Sequence, residues 1–119
     1  MDRNIKERTF RFSLRIINMY QKIPKTGVGF ILGKQLVRAG TSIGANVEEA
    51  TAATSKNDFT YRMTIALREA RETNYWLRLM SESDVIGHHE FKEMVDESDE
   101  LKKILGAIVR TLRSKSRPG

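Results

Sequence analysis

The sequence predicts an all-α protein, an antiparallel up-down-up-down four-helix bundle built from one domain, 1–119. Four stretches carry apolar residues at helical spacings of three and four. Short segments rich in Pro, Gly or small polar residues separate these stretches, as the short loops of such a bundle require. No stretch shows the alternation of a half-buried strand. The predicted helices cover about 9–23, 28–52, 58–83 and 90–113, and a basic tail, 114–119, is expected to be disordered.

The first predicted helix carries a narrow row of cations and ends before Pro24, which disfavours helix at the preceding residue. Its polar positions step by three and four and therefore share one face. They are Arg8, Arg11, Arg15, Asn18 and Lys22. A solvated face usually mixes charges of both signs, so this row favours contact with phosphate.

The second predicted helix contains a segment of small residues, 38–50, with Gly40 and Gly44 one turn apart. Each interior glycine costs a helix about 1 kcal/mol relative to alanine, which favours a close helix–helix contact as the reason for both. Polar residues of this segment are expected to be buried against 69–72 of the third helix and to fix the register of the bundle. Glu49 and Glu69 are expected to pair with nearby arginines or with the polar side chains of the segment. The structural polar set is Arg38, Ser42, Asn46, Glu49, Glu69 and Glu72.

The third predicted helix follows a capping-box-like start, in which Ser55 precedes Asp58 by three residues. Seven positions then repeat at alternating four and three. They are Phe59, Met63, Ala66, Ala70, Thr73, Leu77 and Met80. Apolar residues such as Tyr75 and Leu79 lie outside this pattern and predict a second neighbour, either another helix of the chain or another subunit.

The fourth predicted helix repeats the same spacing from Phe91 to Leu112 and is acidic in its first half and basic in its second. That order complements the helix dipole. Its heptad positions are Phe91, Met94, Ser98, Leu101, Leu105, Ile108 and Leu112.

The sequence offers little for catalysis or metal binding. It has no cysteine, so it can form neither a disulfide nor a thiolate site. Gly29 and Gly33 are one residue too close for a phosphate loop, and Gln35 follows Lys34 where Ser or Thr is required. His88 and His89 are adjacent and cannot chelate together from a helix. We therefore expect no enzyme, no metal, no cofactor and no membrane span, and a cytoplasmic protein.

Positive charge is concentrated in the first third of the chain, where nine Lys and Arg face two Asp and Glu, and the formal net charge is +6. This imbalance suggests an anionic partner, although basic proteins are equally often basic only for solubility. The leading hypothesis is a homo-oligomer that binds structured RNA through the first helix and the basic end of the fourth. The expected contacts are Arg8, Arg11, Arg15, Lys22, Arg110 and Arg113. The alternative is an oligomeric scaffold that docks a protein.

One pattern resembles a known family. It runs Gln35-x-x-Arg38-x-Gly40-x-Ser42-Ile43-Gly44-Ala45-Asn46-Val47-x-Glu49-Ala50, and continues through Ser55-Lys56-x-Asp58-Phe59 to Ile65-Ala66-Leu67-Arg68-Glu69-Ala70-Arg71-Glu72-Thr73-x-Tyr75-Trp76-Leu77. This pattern is similar to that of the bacterial 23S rRNA intervening-sequence proteins, densely in the second and third helices. Ala39 and Arg68 stand where serine and lysine are common in that family.

The resemblance implies a four-helix bundle assembled as a homopentamer and brings no catalytic residues. The family is similar in turn to the accessory variability protein of diversity-generating retroelements, a basic pentamer that binds nucleic acid and associates with a reverse transcriptase. A reverse transcriptase is therefore a further partner that the resemblance suggests.

Overall fold

Four helices account for nearly all of the described residues. The structure, a computed structural model, describes the backbone of residues 3–83 and 88–116 and the side chains of residues 5–83 and 90–115. The helices are α1 (Arg3–Gln21), α2 (Gly27–Thr51), α3 (Lys56–Glu82) and α4 (His88–Ser116). Each packs against the next, and α4 returns to α1 with fewer close backbone approaches than the other neighbouring pairs. This arrangement confirms the predicted all-α four-helix bundle.

The core lies along the predicted heptad positions of α3 and α4. Six of the seven positions in α3 are buried, and Phe59 is half-buried. In α4 the buried positions run from Phe91 to Leu105 as predicted, but Val109 then replaces Ile108 in the core. A straight helix has 3.6 residues per turn, so a strict seven-residue repeat drifts off the buried face over four turns.

The first helix begins six residues before the predicted start, because its buried pattern extends further back. Ile5 is buried in the core, and Thr9, also buried, donates its hydroxyl hydrogen bond to the Ile5 carbonyl at 2.8 Å. Ile5 is seven residues before Phe12, so it lies on the same face. Because Ile5 stands alone among polar residues, apolar periodicity does not predict a helix start this early in the chain.

The other helix boundaries lie near the predicted ones, with one exception. Ser55 is the N-cap of α3, and its hydroxyl accepts a hydrogen bond from the Asp58 amide at 3.0 Å, as the capping pattern predicted. The exception is the predicted disordered tail, 114–119. Residues 114–116 continue α4, where Lys115 and Arg113 place positive charge at the negative end of the helix dipole. Residues 117–119 lie outside the described part of the chain.

The two glycines of the small-residue segment face α1. A Cβ atom added to Gly40 would lie 2.9 Å from Ile16 Cγ1, and one added to Gly44 would lie 3.2 Å from the Thr9 carbonyl oxygen. Neither separation leaves room for an alanine without movement of α1. The predicted close helix–helix contact therefore exists, and its partner is α1.

Candidate nucleic-acid interface

The predicted cationic row of α1 faces the acidic half of α4. Three of its four cations form ion pairs between the two helices. The pairs are Arg8–Glu97 at 2.7 Å, Arg15–Glu93 at 3.3 Å and Lys22–Glu90 at 2.7 Å. Because the helices are antiparallel, the cations at 8, 15 and 22 meet the carboxylates at 97, 93 and 90 in reverse order.

Arg8 makes the most extensive of these contacts. Its Nε and Nη2 donate to the two carboxylate oxygens of Glu97, both at 2.7 Å. This hydrogen bonding to Glu97 raises the pKa of Arg8, outweighing the opposing effect of partial burial. The charge of Arg8 is therefore balanced within the bundle.

Arg11 is the member of the row without an ion pair among the described residues. Its side chain is exposed and lines a groove of about 360 Å³ between α1 and α4. Glu7 and Glu97 line the same groove, so its charge is mixed and less attractive to phosphate than the isolated row suggested.

The basic end of α4 lies apart from that row. Arg110 and Arg113 are exposed and form no ion pair with any residue whose side chain is described. Glu97, the partner of Arg8, marks where the row ends along α4. Arg110 follows Glu97 by thirteen residues, which corresponds to about 20 Å along a helix. The two halves of the predicted interface are therefore not brought together.

The structural polar set is only partly buried. Arg38 pairs with Glu69 at 3.3 Å and with Glu72, whose carboxylate also accepts a hydrogen bond from the Trp76 indole at 3.0 Å. The Arg38–Glu69 pair is one of the pairings that the sequence allowed, and it joins α2 to α3.

The remaining members of the set depart from the expected burial. Asn46 donates to the Ser42 carbonyl at 2.9 Å within α2, and both side chains are half-buried. Glu49 is exposed. It was expected to be buried because it follows Asn46 by three residues, but that spacing places it on the flank of the helix, beyond the contact with α3.

A polar cluster that the sequence did not predict connects α3 and α4. Asn74 is 1% exposed, and its amide nitrogen donates to Ser98 Oγ at 2.9 Å and to Asp99 Oδ1 at 3.2 Å. Its amide oxygen accepts from Arg78 Nε at 3.0 Å and Lys102 Nζ at 3.3 Å. Ser98 was assigned to the core from its spacing, but its partner on α3 could not be identified without the register of the two helices.

Other kinds of site find no support in the described part of the chain. Among those residues no group of three or more His, Asp or Glu could hold a metal ion. None of their helices has the length and apolar character needed to cross a membrane.

Comparisons with known proteins identify the family of this chain. The family described as 23S rRNA-intervening sequence protein matches residues 1–107. A crystal structure at 1.70 Å from Bacteroides thetaiotaomicron, a protein of unknown function from the S23 ribosomal protein family, is 38% identical with a TM-score of 0.79. The alignment covers 88% of this chain and 97% of that one. Comparison with curated proteins returns no significant match. The chain belongs to the 23S rRNA-intervening sequence protein family.

Proposed function

We propose that this protein is a non-enzymatic homo-oligomer that binds structured RNA. The observation that carries the proposal is the cluster of exposed cations at the C-terminal end of α4. Arg110, Arg113 and Lys115 lie there without an acidic partner among the described side chains. Phosphate contacts need such charge, because each neutralised phosphate releases a condensed counterion and so favours binding.

The charge balance of the rest of the bundle supports this location. The α1 cations at 8, 15 and 22 and the α4 carboxylates that face them largely cancel at a distance. Exposed pairs of this kind are weak, so Arg15 and Lys22 can exchange a carboxylate for a phosphate, but the carboxylates would then repel that phosphate. Binding through the α1 row is the less favourable arrangement.

The test compares matched double substitutions by anisotropy of a fluorescently labelled RNA hairpin. Arg110→Gln/Arg113→Gln is expected to weaken binding by about tenfold or more at low salt and to reduce the log–log salt slope by about two. Lys25→Gln/Lys34→Gln removes the same charge near the opposite end and is the control, expected to change binding little. Equal effects from the two variants would reject the assignment to α4.

Arg8→Gln/Arg15→Gln tests the α1 row in the same assay. A loss of affinity as large as that of the α4 variant would restore the row to the interface. A smaller loss than that of the α4 variant is expected, because each arginine is paired with a glutamate of α4 and only unmasks that carboxylate when it is removed.

We propose assembly because α1 carries an apolar outer face opposite its core face. Phe10, Leu14 and Ile17 step by four and three and are 58%, 49% and 40% exposed. Contiguous exposed apolar side chains on a small domain are typical of a protein–protein contact. The family resemblance suggests a pentamer as the assembly that buries them.

The same apolar face favours a second candidate, an oligomeric scaffold that docks another protein, such as a reverse transcriptase, without contacting nucleic acid. A protein partner that stays bound at high salt and after nuclease treatment, together with no RNA binding at low salt, would support this candidate and contradict the first.

A further inference from the structure

On the face shared by α3 and α4, two cations contact a neutral acceptor. These cations, Arg78 and Lys102, share a single acceptor, the amide oxygen of Asn74, and both lie within 3.3 Å of it. The acceptor is neutral. The amide oxygen orients both cations without cancelling the charge of Arg78, whereas Lys102 also lies 3.5 Å from the Asp99 carboxylate, which cancels part of its charge.

Asn74 is well suited to fix these positions. Its side chain is almost completely buried, and its amide nitrogen donates hydrogen bonds to Ser98 and Asp99 of α4. These two hydrogen bonds fix the orientation of the amide oxygen. A buried, fully hydrogen-bonded polar group is costly to rearrange. Arg78 and Lys102 are therefore held close together on the surface before any ligand arrives.

Arg71 extends this face along α3. Residues 71, 74 and 78 step by three and four, which places them on one side of the helix. Arg71 is exposed and has no ion pair among the described residues, and the same holds for Arg78. Between them in the sequence, Tyr75 is half-exposed and offers a ring on which an unpaired base can stack.

Three carboxylates of α4 are already paired within that helix. Each has a lysine three or four residues away in the same helix. The pairs are Lys92–Asp96 at 3.1 Å, Lys102–Asp99 at 3.5 Å and Lys103–Glu100 at 3.9 Å. These pairs balance α4 locally. On the side of α3 that carries Arg71 and Arg78, the two arginines outnumber the single carboxylate of Glu82 and leave a surplus of positive charge.

The face is continuous with the basic end of α4. Two contacts define the register of α3 against α4. A Cβ atom added to Gly106 would lie 4.0 Å from Leu67 Cδ1, and Asn74 donates a hydrogen bond to Ser98. In this antiparallel register Arg71 lies between those two levels, and Arg110 lies one turn of α4 beyond Gly106. A track of cations therefore runs along the two helices from Arg113 to Arg78.

We propose that this α3–α4 basic face, defined as Arg71, Arg78 and Lys102, binds the phosphate backbone of RNA and continues the contact made by Arg110 and Arg113. The inference rests on the proposed function and adds to it a second set of contacts and a means of preorganising them. The cations held by Asn74 take the phosphates, and Tyr75 accepts an adjacent unpaired base.

The test is the substitution Arg71→Gln/Arg78→Gln in the full chain, measured with the same labelled RNA hairpin. Neither arginine balances an acid among the described residues, so the change leaves no carboxylate without its partner. We expect affinity at low salt to fall by about tenfold or more and the salt slope to fall by about two, with helicity by circular dichroism unchanged. Lys25→Gln/Lys34→Gln is again the control with the same charge change.

A second variant, Asn74→Ala, keeps the charge of the protein and removes the acceptor that Arg78 and Lys102 share. Weakened RNA binding by a folded Asn74→Ala protein would support the preorganised pair, and unchanged binding would contradict it. If this variant does not fold, Arg71→Gln/Arg78→Gln decides.

The failures of the inference and of the proposed function are distinguishable. If the wild type does not bind the RNA hairpin, the proposed function is rejected. If the wild type binds and Arg110→Gln/Arg113→Gln weakens binding, but Arg71→Gln/Arg78→Gln behaves like the control, then the function stands and the α3–α4 face is rejected. Tighter binding to a polyglutamate peptide than to the hairpin would overturn RNA as the occupant.

Discussion

Arg8 and Glu97 form the best-aligned ion pair between α1 and α4. Both guanidinium contacts measure 2.7 Å, and Glu97 has only about a fifth of its side chain exposed. A bidentate, partly desolvated pair of this kind is stronger than the median surface pair. It joins the two neighbouring helices that make the fewest close backbone approaches.

We predict that Arg8 and Glu97 are energetically coupled. Arg8→Gln leaves a partly buried carboxylate without its partner, so it should destabilise the bundle more than Arg8→Gln made in a Glu97→Gln background. A double-mutant cycle by urea unfolding should give a coupling energy of about 1 kcal/mol. Additive effects would show that the pair contributes nothing to stability.

At the scale of the helices, α1 and α2 approach closely because Gly40 and Gly44 have no side chains. Ile16 fills the space above Gly40, and its Cγ1, Cγ2 and Cδ1 atoms are the three that an added Cβ would meet first. The gain in helix propensity from Gly to Ala, about 1 kcal/mol, is smaller than a typical cost of overpacking.

We predict that Gly40→Ala destabilises the wild type but not a variant in which the obstructing atoms have been removed. In an Ile16→Ala background the three atoms nearest to the added methyl group are gone, and the gain in propensity should then make Gly40→Ala neutral or stabilising. Urea unfolding of the four proteins measures this, with a coupling of about 1–3 kcal/mol expected. Equal destabilisation in both backgrounds would contradict the contact with Ile16.

The sequence predicts which residues of a helix share a face, but it does not state which helix that face meets. The cations of α1 were correctly grouped, yet Glu90, Glu93 and Glu97 on α4 also step by three and four. In an antiparallel neighbour these carboxylates run in the reverse order of Lys22, Arg15 and Arg8, although the cations are seven residues apart. The signal for mutual neutralisation was therefore present, and it required the assumption that α1 and α4 are adjacent.

The fold was more predictable than the interface for a related reason. Burial follows the periodicity of one helix at a time, so the four helices and most of their core could be identified directly. The Asn74 cluster depends on the register between α3 and α4, and Ile5 depends on one apolar residue in a polar start. Neither feature could be predicted without the packed structure.

At the scale of the whole molecule, the bundle measures 52 × 23 × 22 Å and exposes an apolar face on α1. We predict that Phe10→Glu/Leu14→Glu converts an oligomer into a folded monomer, because these exposed positions contribute little to the core of one chain. Light scattering should show the mass fall to that of one chain at unchanged helicity. A wild type that is already monomeric at micromolar concentration would reject assembly.

The salt dependence of the affinity for an RNA hairpin shows whether this protein binds RNA through phosphate contacts. We expect detectable binding at low salt and a linear fall of log K with log salt concentration, with a slope magnitude of at least about three, since several of the arginines on α3 and α4 would each replace a counterion. No binding at low salt, or an affinity that does not change with salt, would contradict it.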